Sequence, residues 1–336
     1  MSEIRGVNLG GWFVLEFWMK PHLFEGINGV DETYFSLHHP NAKQALETHW
    51  NTFITKKDFQ YLKSIGISHV RLPIPWWFMG ETPYHSALPW IRHAMEWATE
   101  YEIKVLLDLH TAPGCQNGFD NGGIVNQLEW HKDPKNIDLT VEKLELIATT
   151  FSNYPSFLGI EVLNEPHWTI PLQTLQSFYL KSYKAIRKHT EGLVVFHDGF
   201  RPDDPSWKTF FKPGKFKNIA FDIHLYHCFD PKITGKDFFG HIGVIESRKQ
   251  MILELESFVK VIVGEWSLGI IHDKLNHNNT FEKNLVERSL ASLQLWTFEH
   301  AFGWYFWSYK IDRDSHLDWD FKRLIQQGIM PSDYHF

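Results

Sequence analysis

Phe157-Leu158-Gly159-Ile160-Glu161-Val162-Leu163-Asn164-Glu165-Pro166 joins an apolar run to a polar end and organises the rest of the chain. Its first six residues are mostly apolar with a β-branched core, the pattern of a short buried strand. An amide, a carboxylate and a proline then follow. Pro166 has no N–H to give to a ladder, so the strand ends there. Parallel α/β folds place their chemistry at the C-terminal ends of strands, and Glu165 falls on such an end. The design recurs in Val261-Ile262-Val263-Gly264-Glu265-Trp266, a second apolar strand that ends in a carboxylate.

Working outward, similar apolar runs occur at 4–9, 67–73, 103–110, 193–198, 219–226 and 301–307, which makes eight strands. Helical spacing lies between them. Phe59, Leu62 and Ile65 share a face after a Thr52 or Thr55 cap, and Ile91, Ala94, Met95 and Ala98 share another. Leu175, Phe178, Tyr179, Ser182 and Ile186 mark a third face. Further helices are expected over 139–152, 242–259, 281–300 and 321–327, the 281–300 helix turning Leu285, Val286, Leu290 and Leu293 inward. The Gly10-Gly11 pair permits a tight turn, and a long connection to about Asn51 follows it. No GxGxxG follows the first strand and no Pro/Gly/Ser-rich linker divides the chain. Eight strands alternating with eight helical segments predict an α/β fold, a single (β/α)8 barrel forming one catalytic domain over 1–336.

Composition narrows the function. The 336 residues carry a net charge of −7 and no basic stripe, which argues against nucleic acid as a partner. Twenty histidines are present, but no HExxH or CxxC pattern marks a metal site, and no cofactor is expected. Two cysteines, Cys115 and Cys228, give no disulfide framework and are expected to be free thiols. Met1–Gly6 has no apolar stretch of signal-peptide type and no run approaches membrane-spanning length. A cytoplasmic protein without a membrane span is therefore expected. Fifteen tryptophans suit either a large aromatic core or a cleft that stacks on the flat faces of sugar rings.

All strand C-termini meet at one face of a barrel. That face would gather Asn8–Trp12, Arg71, Asp108, His110, Asn164, Glu165, His224, Tyr226, Glu265, Trp266 and Trp307. One rim glutamate is ordinarily just solvated. Two of them, each ending an apolar strand, suggest a carboxylate pair for retaining glycoside hydrolysis. One would act as an acid with a raised pKa, and the other would stay ionised as the nucleophile. Arg71 and the Tyr226 hydroxyl suit the second task, and Asn164 is placed to bond a sugar 2-hydroxyl. His110 and His224 fit structural and catalytic roles equally, and Trp307 fits core packing and substrate stacking equally. Trp304, on the opposite face of that strand, belongs to the barrel packing.

Arg5–Trp12, Leu15-Glu16, Val70–Pro73, Leu107–His110, Gln116–Asn121, Leu163–Pro166, His224–Tyr226 and Gly264–Trp266 together resemble family 5 of the glycoside hydrolases, within it the exo-β-1,3-glucanase branch. The resemblance runs from Arg5 to about Trp319. It implies a retaining mechanism with Glu165 as acid/base and Glu265 as nucleophile. It also implies that Arg71, His110, Asn164, His224, Tyr226 and Trp307 line the −1 subsite and that Glu16 bonds the terminal glucose. Phe119 and Phe229 match a pair of aromatic residues that clamps the +1 sugar. The expected substrate is a β-1,3-gluco-oligosaccharide or glucan, cleaved from its end.

Three alternatives remain open at this point. One is an intracellular β-glucosidase for small or lipid-linked glucosides. Another is a non-catalytic carbohydrate-binding barrel. The third is a metal-dependent hydrolase using His110, His224, His227, Asp108 and Asp222, which the lack of a histidine on the first strand disfavours.

Overall fold

The computed structural model describes residues 2–270 and 279–335; Met1, the first residue of the N-terminal run read above, lies outside them. Eight parallel strands close on themselves in sequence order: β1 (Ile4–Asn8), β2 (His69–Ile74), β3 (Lys104–Leu109), β4 (Phe157–Glu161), β5 (Leu193–His197), β6 (Ile219–His224), β7 (Val261–Trp266) and β8 (Gly303–Phe306). β1 closes the ring by pairing Ile4 with Gly303 and Val7 with Phe306 of β8. The expected barrel is present.

The inside of the barrel changes character along its axis. Ile4, Leu106, Leu193, Val195, Ala220, Ile262 and Tyr305 form an apolar plug at the N-terminal end. Side chains alternate along each strand, so the next inward positions toward the C-terminal end are Asn8, Arg71, Asp108, Glu161, His197 and Asp222. All of these are buried and polar. Gly264 completes that layer. A Cβ there would lie 2.1 Å from the Asp222 carboxylate, and the Gly264 N–H donates to Asp222 Oδ1 at 2.7 Å.

Helices wrap this barrel, and two of them lie where a plain connection was expected. α1 (Glu32–His38) and α2 (Ala42–Thr52) fill part of the segment after β1. Asp31 caps α1 by accepting from Tyr34 N–H, and α2 buries Ala42, Leu46, His49 and Trp50. α3 (Lys56–Ser64) begins at Thr55, whose capping box with Asp58 settles the choice of cap. α4 (Leu88–Glu100), α5 (Pro134–Phe151) and α6 (Leu172–Ile186) follow β2, β3 and β4. Only the short α7 (Ser206–Phe210) joins β5 to β6. α8 (Pro231–Thr234), α9 (Phe238–Glu256), α10 (Thr280–Phe298) and α11 (Phe321–Gln326) complete the shell. On α10, Leu290 is buried as expected, but Leu285 points outward and is 55% exposed. Among the described residues, no helix is long and apolar enough to cross a membrane.

Of the glycine pair after β1, Gly11 makes the turn, with φ of +67°. Gly10 serves packing instead, because a Cβ there would lie 2.7 Å from the Trp307 ring. Cys115 and Cys228 are free thiols. Trp304 is buried against Trp266 and Tyr334, on the opposite side of β8 from Trp307.

Candidate active site

Arg71, on β2, is the centre from which the site is built. Its guanidinium is fully buried and spends every donor on a neighbour. Nε and Nη2 form a fork on Glu161 at 2.7 and 3.1 Å. Nη2 also donates to Asn164 Oδ1 at 2.8 Å. Nη1 donates to Asn8 Oδ1 at 3.0 Å and to Glu265 Oε1 at 2.9 Å. Asp108 lies 3.2 Å away. A buried charge is tolerable only when paired and hydrogen-bonded in this way. One cation thereby fixes residues from β1, β3, β4 and β7 at the barrel mouth.

Glu265 is the penultimate residue of β7, where that strand's pairing with β6 shifts register, which brings it beside His224. Tyr226 lies past the end of β6, two residues beyond where the strand stops, and its hydroxyl donates to Glu265 Oε2 at 2.7 Å. Burial, with the charge of Glu265 next, raises the Tyr226 phenol well above its usual range, so it remains a donor. Arg248 of α9 holds this loop by donating to the carbonyls of Leu225, at 3.2 Å, and Tyr226, at 2.5 Å.

Glu165 occupies the left-handed region, φ +43°, a conformation that costs a non-glycine residue about 1–2 kcal/mol. The surroundings compensate for this strain. Asn164 N–H donates to Leu109 O at 3.0 Å. Gln116 Nε2 ties the carbonyls of His110 and Asn164 together at 2.8 and 3.0 Å. The Glu165 carboxylate accepts from Asn121 Nδ2 at 2.7 Å and from His224 Nδ1 at 2.8 Å.

His224 reaches both carboxylates, since the same Nδ1 lies 3.4 Å from Glu265 Oε2. Its Nε2 faces Asp222 at 3.3 Å. Burial opposes a charge on this ring, but Glu265, Asp222 and the hydrogen bonds outweigh it and lift the pKa well above the usual histidine range. His224 is therefore a cation between acids. For Glu165, burial pushes upward, yet His224 and Asn121 prevail and hold the pKa below the usual carboxylate range. Glu265 shifts the other way: burial, reinforced by the charge of Glu165, lifts it above the usual range against His224 and Arg71. These directions are opposite to those expected from the sequence: burial and the charge of Glu165 raise Glu265, whereas the hydrogen bonds from His224 and Asn121 overcome burial at Glu165.

The other expected residues surround this pair. His110 donates from Nδ1 to Asp108 at 2.5 Å and stacks on Trp307, with ring centroids 5.5 Å apart. Its Nε2 lies 3.5 Å from Asn164 Nδ2. Trp307 is 3% exposed, so it is both core and wall. Glu16 is buried, and its Oε2 accepts from Trp18 Nε1 at 2.8 Å, while Oε1 has no protein partner among the described residues. Burial, with Asp120 next, raises Glu16 well above its usual range. Phe119 and Phe229 sit on separate rim loops after β3 and β6, 37% and 69% exposed. Phe119 faces Trp168 and Phe229 faces Tyr226 and Trp319, at centroid distances of 6.2, 5.2 and 6.0 Å.

Three residues of the site have no role assigned from the sequence, although Asn8 falls on the strand-end face and Asn121 in the Gln116–Asn121 motif. Glu161 and Asn8 complete the Arg71 cage, and Asn121 holds Glu165. A lone carboxylate inside an apolar strand was the available signal for Glu161. Among the described residues, two groups bring ligating atoms within 4.8 Å of one another: Glu165, His197 and His224, and Glu161, Asp222 and His224. Positive charge beside these carboxylates is already supplied by Arg71 and His224. The five residues of the metal-dependent alternative do not converge: Asp108 holds His110, Asp222 faces His224, and His227 pairs with His241 at 2.9 Å. A cavity of about 490 Å³ lined by Phe211, Phe216, Phe258 and Lys260 lies where β6 and β7 begin, at the opposite end of the barrel from these residues.

The chain is similar to known proteins along nearly its whole length. Residues 31–312 match the model of the cellulases, glycosyl hydrolase family 5. A glucan 1,3-β-glucosidase of Kluyveromyces lactis is 31% identical over 98% of this chain and 88% of its own length. A probable glucan 1,3-β-glucosidase A of Aspergillus fumigatus is 32% identical over 98% of this chain and 87% of its own. Among solved structures, the rutinosidase of Aspergillus niger superposes with a TM-score of 0.80 at 20% identity, covering 98% of both chains. The endoglucanase Cel5A of Thermotoga maritima gives 0.62 at 17% identity, covering 96% of both. At these identities the two structures speak for the barrel alone.

Proposed function

Because the chain belongs to the cellulases of glycosyl hydrolase family 5, we propose that it is a retaining β-glucosidase that removes glucose from the ends of β-1,3-gluco-oligosaccharides or glucan. One observation carries the retaining reading. A single nitrogen, His224 Nδ1, lies 2.8 Å from Glu165 and 3.4 Å from Glu265. The nearest oxygens of the two carboxylates are therefore no farther apart than the sum of those distances. That bound accommodates the roughly 5 Å separation of a retaining pair, the mechanism that membership of family 5 supports.

In the first step Glu265 attacks the anomeric carbon as the glycosidic C–O bond breaks. The leaving oxygen takes a proton from Glu165, and His224 Nδ1 supplies that proton to Glu165. In the second step water attacks the same carbon, and the bond to Glu265 breaks. The proton of that water passes to Glu165 and back to His224. Arg71 and Tyr226 orient Glu265 and take up its charge before attack and after departure. Asn164 is the residue beside the acid whose amide can meet the sugar 2-hydroxyl.

Two features support end-wise action on glucan. Glu16 presents a buried oxygen without a protein partner, suited to a terminal-glucose hydroxyl. The glucan 1,3-β-glucosidases noted above are similar along nearly the whole chain. The test is hydrolysis of an aryl β-glucoside and of laminari-oligosaccharides by wild type and Glu265→Gln. Glucose release from both, lost in the variant, is expected. Turnover of the aryl glucoside alone would move the substrate to small or lipid-linked glucosides. A folded protein that turns over neither would sink the glucosidase reading.

A further inference from the structure

Trp168 lies three residues beyond Glu165 on the same loop, and half of it is exposed (50%), unusual for an indole. It is nevertheless held in place. One face stacks on the His167 ring, centroids 3.8 Å apart with 26° between planes. His167 is in turn pinned: its N–H donates to Gln116 O at 3.0 Å, and its Nδ1 lies 2.7 Å from Thr169 Oγ1 and accepts from Thr169 N–H at 3.2 Å. The Phe200 ring meets Trp168 edge-on at 6.1 Å. Phe119 stands 6.2 Å away at 37°. An exposed aromatic ring fixed before any ligand arrives loses little freedom on binding, which is the economy of a built stacking surface.

We propose that Trp168 is a second leaving-group-side stacking platform, which takes the sugar ring beyond the one at Phe119. The inference rests on the glucosidase reading, because that reading sets the direction of the cleft. The acid/base protonates the leaving oxygen, so the loop that carries Glu165 flanks the leaving-group side. Trp168 is farther along that loop, and its separation from Phe119 is about one pyranose ring. The ligand class is a β-linked oligosaccharide of three or more rings: the first in the pocket, the second at Phe119, the third on Trp168. A flat apolar ring with a polar N–H edge suits such a partner.

The experiment compares wild type, Trp168→Ala and Trp168→Tyr on an aryl β-glucoside, laminaribiose and laminaritriose. Wild type is expected to favour the trimer over the dimer in kcat/KM. Trp168→Ala should lose about three- to tenfold of that preference, through KM, while its turnover of the aryl glucoside is unchanged. Trp168→Tyr should restore most of it. Trimer binding to the Glu265→Gln protein, with and without Trp168→Ala, should weaken by the same factor. An unchanged trimer-to-dimer ratio in Trp168→Ala, or equal trimer binding in the two Glu265→Gln proteins, overturns the platform and leaves the glucosidase reading intact. A wild type that turns over the aryl glucoside but neither oligosaccharide, and whose Glu265→Gln form does not bind the trimer, overturns both the platform and the β-1,3 substrate.

Discussion

His224 Nδ1 lies 2.8 Å from Glu165 Oε1, and the ring carries the proton while the carboxyl is held below its usual range. The two groups titrate as a pair with one working proton, and the alkaline limb of kcat/KM reports its loss. That limb belongs to the pair, and the raised histidine places it above the range of a lone carboxyl. His224→Asn removes the cation that holds Glu165 down, so the Glu165 pKa rises while the alkaline limb falls to the carboxyl's own value. Carboxyl ¹³C NMR would follow the first shift and pH-dependent kinetics the second, with a rate loss of roughly 10²-fold or more.

Arg71 binds Glu161, Asn8, Asn164 and Glu265 with no exposed surface. Arg71→Met leaves those acids buried without their cation. The expected cost is about 3–5 kcal/mol, read by urea denaturation, together with loss of turnover. Stability within about 1 kcal/mol of wild type would show that the acids are neutral without it and that the cage contributes little.

Asp58 joins the start of α3 to the segment after β8. It accepts from Thr55 N–H at 2.9 Å, Tyr309 hydroxyl at 2.8 Å and Lys310 Nζ at 3.1 Å. Burial opposes its ionisation, but Lys310, Tyr309 and Thr55 outweigh burial and lower its pKa in the folded state. A lowered folded pKa stabilises above the unfolded value, and the contribution is lost as pH falls through the folded one. Asp58→Asn should therefore cost about 1–3 kcal/mol at neutral pH and much less at an acid pH below the usual aspartate range. Denaturation midpoints at the two pH values measure the difference.

The legible parts of the molecule were those with a one-dimensional signature. Glu165 and Glu265 each close an apolar run, and helices such as α4 show their faces by spacing. Glu161 and Asp222 were harder to assign, because both sides of a parallel barrel strand are buried and no alternation shows which residue points inward. The pKa order of the two glutamates depends on burial, on their mutual charge and on which of them His224 and Asn121 hydrogen-bond, and spacing along the chain does not encode that. The segment that holds α1 and α2 looks like plain connection in the sequence, although Leu46, His49 and Trp50 are packed on one helix. The outward turn of Leu285 is set by the packing of α10 on its neighbours, which its apolar side chain alone does not reveal.

In the proposed reaction Glu265 forms a covalent bond to the sugar. Incubation with a 2-deoxy-2-fluoro-β-glucoside bearing an activated leaving group slows both steps, the second enough for the intermediate to persist. Intact mass followed by peptide mapping then locates the sugar. One fluoroglucosyl group per chain is expected, on Glu265 and absent from Glu265→Gln. A label on Glu165, or full turnover with no label and first-formed α-glucose in the NMR spectrum, would contradict it.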